Sequence, residues 1–212
     1  VTEKILIIGA GGHAKSVADA LLALGRYEIV GVTSPQDEGQ DWYCGIPWAG
    51  TDDGVAAIAD AGCRLAAMGI GFMGGTSRLR DNLALRYKAL GFEFPPICDP
   101  SAVVAAGAVI ADGAFVGKGT IVNADARVGR MAIVNSGALV EHECLVGDYS
   151  HIAVSAVLCG QVTVADHVLV GANATVLQCL HVASDSIVGA GCTVLNDVPA
   201  GVVAVGVYKG ET

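Results

Sequence analysis

The sequence predicts an α/β unit over residues 1–97 followed by an all-β, hexapeptide-repeat parallel β-helix over residues 98–212. Three observations carry this. Over residues 4–94, short apolar runs alternate with stretches whose apolar residues have helical spacing. In "FEFPPICDP" (92–100), two consecutive prolines and Pro100 predict a hinge without regular structure. From Val104 onward, an aliphatic residue recurs at every sixth position.

The first half reads element by element. "KILIIGAGG" is a buried strand running into a glycine turn. "HAKSVADALLALG" has apolar residues at 14, 17, 18, 21 and 22, which is helical spacing, and Gly25 is placed as its C-cap. "YEIVGV" is a second strand. "TDDGVAAIADAG" is a short helix with Thr51 as N-cap and two acids in its first turn. "CRLAAMGIG" is a third strand, and "TSRLRDNLALRYKALG" a helix ending at Gly91. This βαβαβα order is about half of a dinucleotide-binding Rossmann fold.

In the second half the aliphatic series runs Val104, Ile110, Val116 and so on to Val188 and Val194 without a slip. The residue four places after each is nearly always small: Ala108, Ala114, Thr120, Ala126, onward to Ser186 and Cys192. A period of six fits no amphipathic helix and is the signature of a stacked β-helix. Three hexads close a coil, giving roughly five coils in all. The aliphatics form interior ladders, and the small residue is expected to let the chain turn each corner.

Composition narrows the function classes. A net charge of −9 argues against a nucleic-acid partner, which needs clustered Lys and Arg. The opening "VTEKILIIGAGGHAKS" leads into a glycine turn rather than a cleavage site, so it does not read as a signal peptide. No apolar run approaches the length of a membrane span. Seven cysteines with no CxxC pair argue against a disulfide framework and fit reduced thiols in the cytoplasm.

Titratable chemistry concentrates in "ALVEHECLVGDYSHIAV" (138–154). His142 falls two places after the ladder residue Val140, at a corner and pointing outward. An outward histidine is often only a solvated surface residue. Glu143 beside it favours chemistry, because a carboxylate held against an imidazole fixes its tautomer and raises its basicity. His151 lies about half a coil further on. His167 and His181 have no acidic partner in a motif and read as structural or solvated. Zinc chemistry on a β-helix needs three histidines, and the spacings offer no obvious third, so no metal is expected. Cys144 and Cys192 occupy the small interior position, where burial raises a thiol's pKa. Cys159 and Cys179 sit nearer corners without a base. Direct transfer is favoured over a cysteine nucleophile. In the first half "GAGGHA" (9–14) follows a strand and opens a helix, which suits a phosphate cradle. An NAD site needs an acid ending the second strand, and Thr33–Ser34 do not supply one.

These features together resemble a known family. The hexad ladder is similar to the left-handed β-helix acyltransferases. With "IIGAGGHAK" ahead of it, the chain resembles the NeuD/PglD-type sugar acyltransferases, which acetylate amino sugars, including nucleotide-linked 4-amino sugars. The segment "NSGALVEHECLVGDYSH" (135–151) matches the family pattern N-x-x-x-x-[VI]-E-H-[ED]-C-x-[IV]-G-x-x-x-H. The chain departs from the family at "CDPSA" (98–102) in place of H-P-S-A, at Thr33–Ser34 in place of an Asp pair, and at "GVYK" (206–209) in place of G-x-P-A-K.

The resemblance implies an acetyl-CoA-dependent N-acetyltransferase on a left-handed β-helix, with a nucleotide-sugar-binding domain ahead of it. His142 is then the general base, and Glu143 orients it. Gly11, Gly12 and His13 lie by the diphosphate, with Thr33, Ser34 and Gly69 bordering the nucleotide sugar, and Asn135 orients the amino sugar. His151 lies by the acetyl-CoA thioester and the Gly160 N–H binds the oxyanion. Pantetheine runs by Gly171, Ala172, Gly189 and Ala190. Lys209, Lys118, Arg127 and Arg130 are candidates for the coenzyme phosphates. The family implies a homotrimer with sites between subunits. Loss of the acid pair points to GDP-perosamine first and UDP-linked bacillosamine precursors second, for bacterial surface-glycan synthesis. Sugar O-acetylation, as on a sialic acid, and a non-catalytic sugar-nucleotide-binding β-helix are the alternatives.

Overall fold

The computed structural model describes residues 2–37, 39, 42–72, 74 and 78–210. The chain forms two compact units. One comprises residues 1–71 and 78–100; the other comprises residues 72–77 and 101–212.

The first unit is a four-stranded parallel sheet built from β1 (Glu3–Ile8), β2 (Tyr27–Thr33), β3 (Trp48–Gly50) and β4 (Leu65–Met68), in the order β3-β2-β1-β4. β1 is central, and Ile5 to Ile8 are fully buried, as a parallel strand covered on both faces must be. Helix α1 (Gly12–Leu24) buries Ala14, Val17, Ala18 and Leu21 and stops where Gly25 turns left-handed at φ 65°, its N–H reaching Leu21 and Leu22 O. Three expectations change. Strand β3 had no sequence signal. Helix α2 (Val55–Asp60) starts after Gly54, not at Thr51; Thr51 O instead accepts the Gly54 N–H in a preceding turn. The Pro-rich hinge is not free of regular structure: Glu93 bridges to Leu65, and β5 (Ile97–Cys98) follows the proline pair, because prolines there occupy positions that need no N–H. The helix expected from Thr76 is α3 (Leu79–Ala89); residues 76 and 77 lie outside the described set.

The second unit is a parallel β-helix. Its two-residue strands pair with the strands eighteen residues away, as in Ile133↔His151 and Val134↔Ile152. Three faces result. The first runs from Val103–Val104 through Leu139–Val140 to Val207–Tyr208. The second runs from Val109–Ile110 to His181–Val182, and the third from Phe115–Val116 through His151–Ile152 to Val203–Ala204. Every ladder residue from Val116 to Val194 is buried, each worth about 1.5–3 kcal/mol of transfer free energy.

The corner is not turned by the small residue. It is turned one place earlier, where Asp125, Met131, Glu143, Tyr149, Ser155, Gln161, His167, Asn173, Cys179 and Asp185 all have φ between 55° and 63°. The left-handed conformation costs a non-glycine residue about 1–2 kcal/mol. A backbone bond to the coil below offsets it: Glu143 N–H donates to Ala124 O at 2.9 Å, and Gln161 N–H to His142 O at 2.9 Å. The small residue that follows points inside, where Ser150 Oγ donates to Ala165 O at 2.6 Å and Thr120 Oγ1 to Asn135 O at 3.0 Å. Past Val194 the hexad fails, yet the coil closes with two more strands, Val203–Ala204 and Val207–Tyr208.

Candidate functional site

His142 and Glu143 stand at the corner between the first and second faces. His142 Nδ1 lies 3.1 Å from Glu143 Oε2, and both side chains are about half exposed. With Nδ1–H donating to the carboxylate, Nε2 carries the free lone pair of a base. Gln161, eighteen residues on, donates from Nε2 to the same Oε2 at 3.0 Å. The Gln161 and His142 bonds hold the Glu143 carboxyl below its usual range, so it remains an anion near neutral pH. Gly160 is stacked on His142: a Cβ there would stand 2.6 Å from both Cε1 and Nε2 of the imidazole. Only glycine leaves room for the ring in this position. The Gly160 N–H donates to no group among the described residues.

A second cluster occupies the corner between the third and first faces. His151 is buried at 7% exposure. Its Nδ1 is 2.6 Å from Phe72 O and its Nε2 is 3.2 Å from Asn135 Nδ2. Asn135 Oδ1 accepts the Ser136 N–H at 2.8 Å, which fixes the amide so that Nδ2 faces the ring. In this arrangement Nδ1 is placed to donate to the Phe72 carbonyl and Nε2 to accept from the Asn135 amide. From Asn135, steps of eighteen lead to Ala153, Gly171 and Gly189, with Ala172 and Ala190 alongside. Gly171 is packed, a Cβ meeting Ala190 N at 2.6 Å, whereas Ala190 is exposed.

Lys209 does not join that column. It lies at the other corner, with Cys179, Asn196, Asp197 and Tyr208 around a surface hollow. Arg130 holds Asp148 through Nε at 2.8 Å and Nη2 at 2.5 Å, so its guanidinium is already paired. His167 stacks on Tyr149 with ring centroids 5.3 Å apart and planes 7° from parallel, in keeping with a structural part. Cys144 is buried and its thiol pushed up to about 11 by burial, so it is no thiolate at neutral pH. Among the described residues no group of three His, Cys, Asp or Glu is gathered to hold a metal, and no helix is long and apolar enough to cross a membrane.

In the first unit Gly11 caps α1 and Gly12 is its first residue. An added Cβ at either meets nothing within 4 Å, so the helix N-terminus opens to solvent. Gly69 differs: a Cβ there would meet Ile8 O at 2.7 Å and Ala14 Cβ at 2.8 Å, so the approach of helix to sheet leaves no room for a side chain. Thr33 and Ser34 are buried as well. Tyr87 OH donates to Asp52 Oδ1 at 2.6 Å, leaving its oxygen to accept from Thr33 Oγ1 at 3.0 Å. Ser34 Oγ donates to Gln36 O. Both hydroxyls are thus engaged within the protein. Sequence reasoning missed Trp42, whose Nε1 donates to Ala10 O at 2.7 Å beside the glycine turn, and Gln161. A step of eighteen from Glu143 would have found Gln161; Trp42 had no signal.

The family model of the PglD N-terminal domain matches residues 4–82. The solved structure of PerB from Caulobacter crescentus, in complex with CoA and GDP-perosamine, is 32% identical, with 97% of this chain and 95% of that chain covered and a TM-score of 0.90. The chain belongs to the NeuD/PglD-type sugar acyltransferases. A histidine-to-alanine variant of the GDP-perosamine N-acetyltransferase from the same organism is 30% identical, over 100% of this chain and 99% of that one, with a TM-score of 0.88. The acetyltransferase domain of PglB from Neisseria gonorrhoeae, in complex with acetyl coenzyme A, is 29% identical over 96% of each chain, with a TM-score of 0.84. No curated protein matched the chain. In this chain the His142–Glu143 pair and the Asn135–His151 cluster fall in one β-helix unit, on two neighbouring corners of its coil.

Proposed function

We propose that this acyltransferase moves acetyl from acetyl-CoA to the 4-amino group of a nucleotide-linked dideoxy sugar, with GDP-perosamine as first substrate and a UDP-linked 4-amino sugar second. The His142 Nδ1–Glu143 Oε2 contact carries the reading. The substrate choice draws on the Caulobacter relative that binds CoA and GDP-perosamine, and on the absence of an acid ending β2.

The amine nitrogen attacks the thioester carbonyl while His142 Nε2 takes its proton, and such help is worth about 10²–10⁴-fold. The Gly160 N–H, free to donate, stabilises the tetrahedral oxyanion. The intermediate collapses, the C–S bond breaks, and the coenzyme leaves as a thiol after the imidazolium returns the proton. Asn135 orients the sugar, its amide held by His151. Pantetheine follows Ala153, Gly171 and Gly189.

His142, Gly160 and Lys209 stand on one corner, and Asn135, His151 and the Gly171–Gly189 column on the next. One coenzyme cannot reach both on a single chain without crossing the face between them. That face carries exposed Val103, Ile121 and Val207. A homotrimer that packs this face between copies brings one subunit's His142 corner to its neighbour's small-residue corner. The Gly11–Gly12 helix terminus cradles the diphosphate. The setting is cytoplasmic synthesis of a bacterial surface glycan.

Acetyl-CoA with a panel of UDP-, dTDP- and GDP-linked amino sugars, read by thiol release, tests this. Turnover with GDP-perosamine is expected. Release only with a hydroxyl acceptor such as a sialic acid would make it an O-acetyltransferase, and release with none would leave a binding module.

A further inference from the structure

We propose that Gln161 is a positioning residue for the transfer, holding the Glu143 carboxylate in the orientation that keeps His142 in its basic tautomer; this rests on His142 being the base. Glu143 sits at the left-handed corner with its side chain half exposed, so little packing confines that side chain. A free glutamate of this kind samples several rotamers. Its Oε2 is met from two sides: His142 Nδ1 at 3.1 Å on its own coil and Gln161 Nε2 at 3.0 Å on the next. Gln161 is in turn fixed. Its N–H donates to His142 O at 2.9 Å, and its Oε1 accepts from Cys179 Sγ at 3.3 Å, one coil further. An amide whose oxygen is claimed by a thiol presents only its NH₂ to the carboxylate, so it cannot turn its acceptor end toward Glu143.

The column Glu143–Gln161–Cys179 therefore forms a rail of side chains at eighteen-residue steps, ending on the dyad. The Gln161 bond is also the largest influence lowering the Glu143 pKa, ahead of the His142 bond. Gln161 touches no reacting atom in this scheme. It acts through Glu143, and Glu143 acts through His142.

The test is a double-mutant cycle in the full-length enzyme, with kcat and KM measured for acetyl-CoA and the amino-sugar acceptor. Gln161→Asn keeps a residue suited to the left-handed corner but is one methylene too short to reach Glu143. Gln161→Leu keeps the size and removes the amide. Each is expected to lower kcat about five- to tenfold with KM for both substrates unchanged, the scale of one exposed charge-assisted hydrogen bond. In a Glu143→Ala background the same substitutions should change nothing further. His142→Ala is measured alongside. If it retains the parent rate, the base assignment itself fails. If it is inactive while both Gln161 variants keep the parent kcat, the inference about Gln161 fails alone. An equal loss from Gln161→Asn with and without Glu143 also overturns it, since the residue would then act by another route. Should Gln161→Leu not fold, Gln161→Asn decides.

Discussion

Replacing Gly160 with alanine should disable the enzyme without unfolding it. The new Cβ would stand 2.6 Å from the Cε1 and Nε2 atoms of His142, where ordinary contact is 3.4–4 Å. The ring must therefore retreat by about 1 Å, and a misplacement of that size costs roughly 10²-fold in rate. That is about 2.7 kcal/mol of transition-state stabilisation. The fold pays little. Gly160 is not among the positive-φ glycines, so alanine adopts its backbone without strain, and the imidazole is half exposed and free to swing outward. Alanine also keeps the N–H, so the proposed oxyanion donor survives and the loss reports on the base. The assay is steady-state thiol release, with melting temperature measured on the same preparation. Expected are a kcat about 10²-fold down, KM for acetyl-CoA near the parent value, and melting within about 3 °C. Parent kcat in Gly160→Ala would refute the reasoning, because the imidazole would then not be working from its seat over residue 160.

Other outcomes follow from the same geometry. Val146→Asp buries a carboxylate at an interior ladder position that is 4% exposed and should cost on the order of 4 kcal/mol, a melting drop of roughly 10 °C; unchanged melting would put the hexad register in error. Gly12→Val points a side chain into the open space at the α1 terminus, so calorimetry should find GDP-perosamine binding weakened and coenzyme A binding intact; equal loss of both contradicts the separate cradle. Because the Glu143 pKa is lowered on folding, its contribution to stability is present above the unfolded carboxylate value and is lost as pH falls through the folded one. The melting difference between parent and Glu143→Gln should therefore fade in acid, and a difference growing in acid contradicts the direction. With its thiol pushed up to about 11, Cys144 should resist alkylation at neutral pH while exposed Cys44 and Cys179 react, and Cys144→Ala should retain most activity.

The hexad ladder was legible because each aliphatic faces one continuous core, so the period survives in the sequence. The corner was less so. Any residue that tolerates the left-handed turn serves there, and Glu143, Tyr149, Gln161 and Cys179 share no chemistry, only φ. His142 and Glu143 were readable as neighbours in the chain, whereas Gln161 meets them only across a coil. The burial of His151 was not legible because its cover, the Phe72 carbonyl, comes from far away in the chain. In the first unit, Gly69 and Thr33 looked like ligand contacts because strand ends in such folds often are. Their packing, of Gly69 against Ile8 and Ala14 and of Thr33 against the Tyr87 hydroxyl, joins residues distant in the chain and was not legible. Thr51 resembled a helix cap, but the Gly54 turn starts the helix three residues later and leaves Asp52 to Tyr87.

The most direct measurement of the central claim is the turnover of His142→Ala with acetyl-CoA and GDP-perosamine. If His142 is the base, kcat should fall by about 10²-fold or more while both KM values change modestly, since proton acceptance is realised in the transition state. A His142→Ala enzyme that keeps most of the parent kcat would contradict the account.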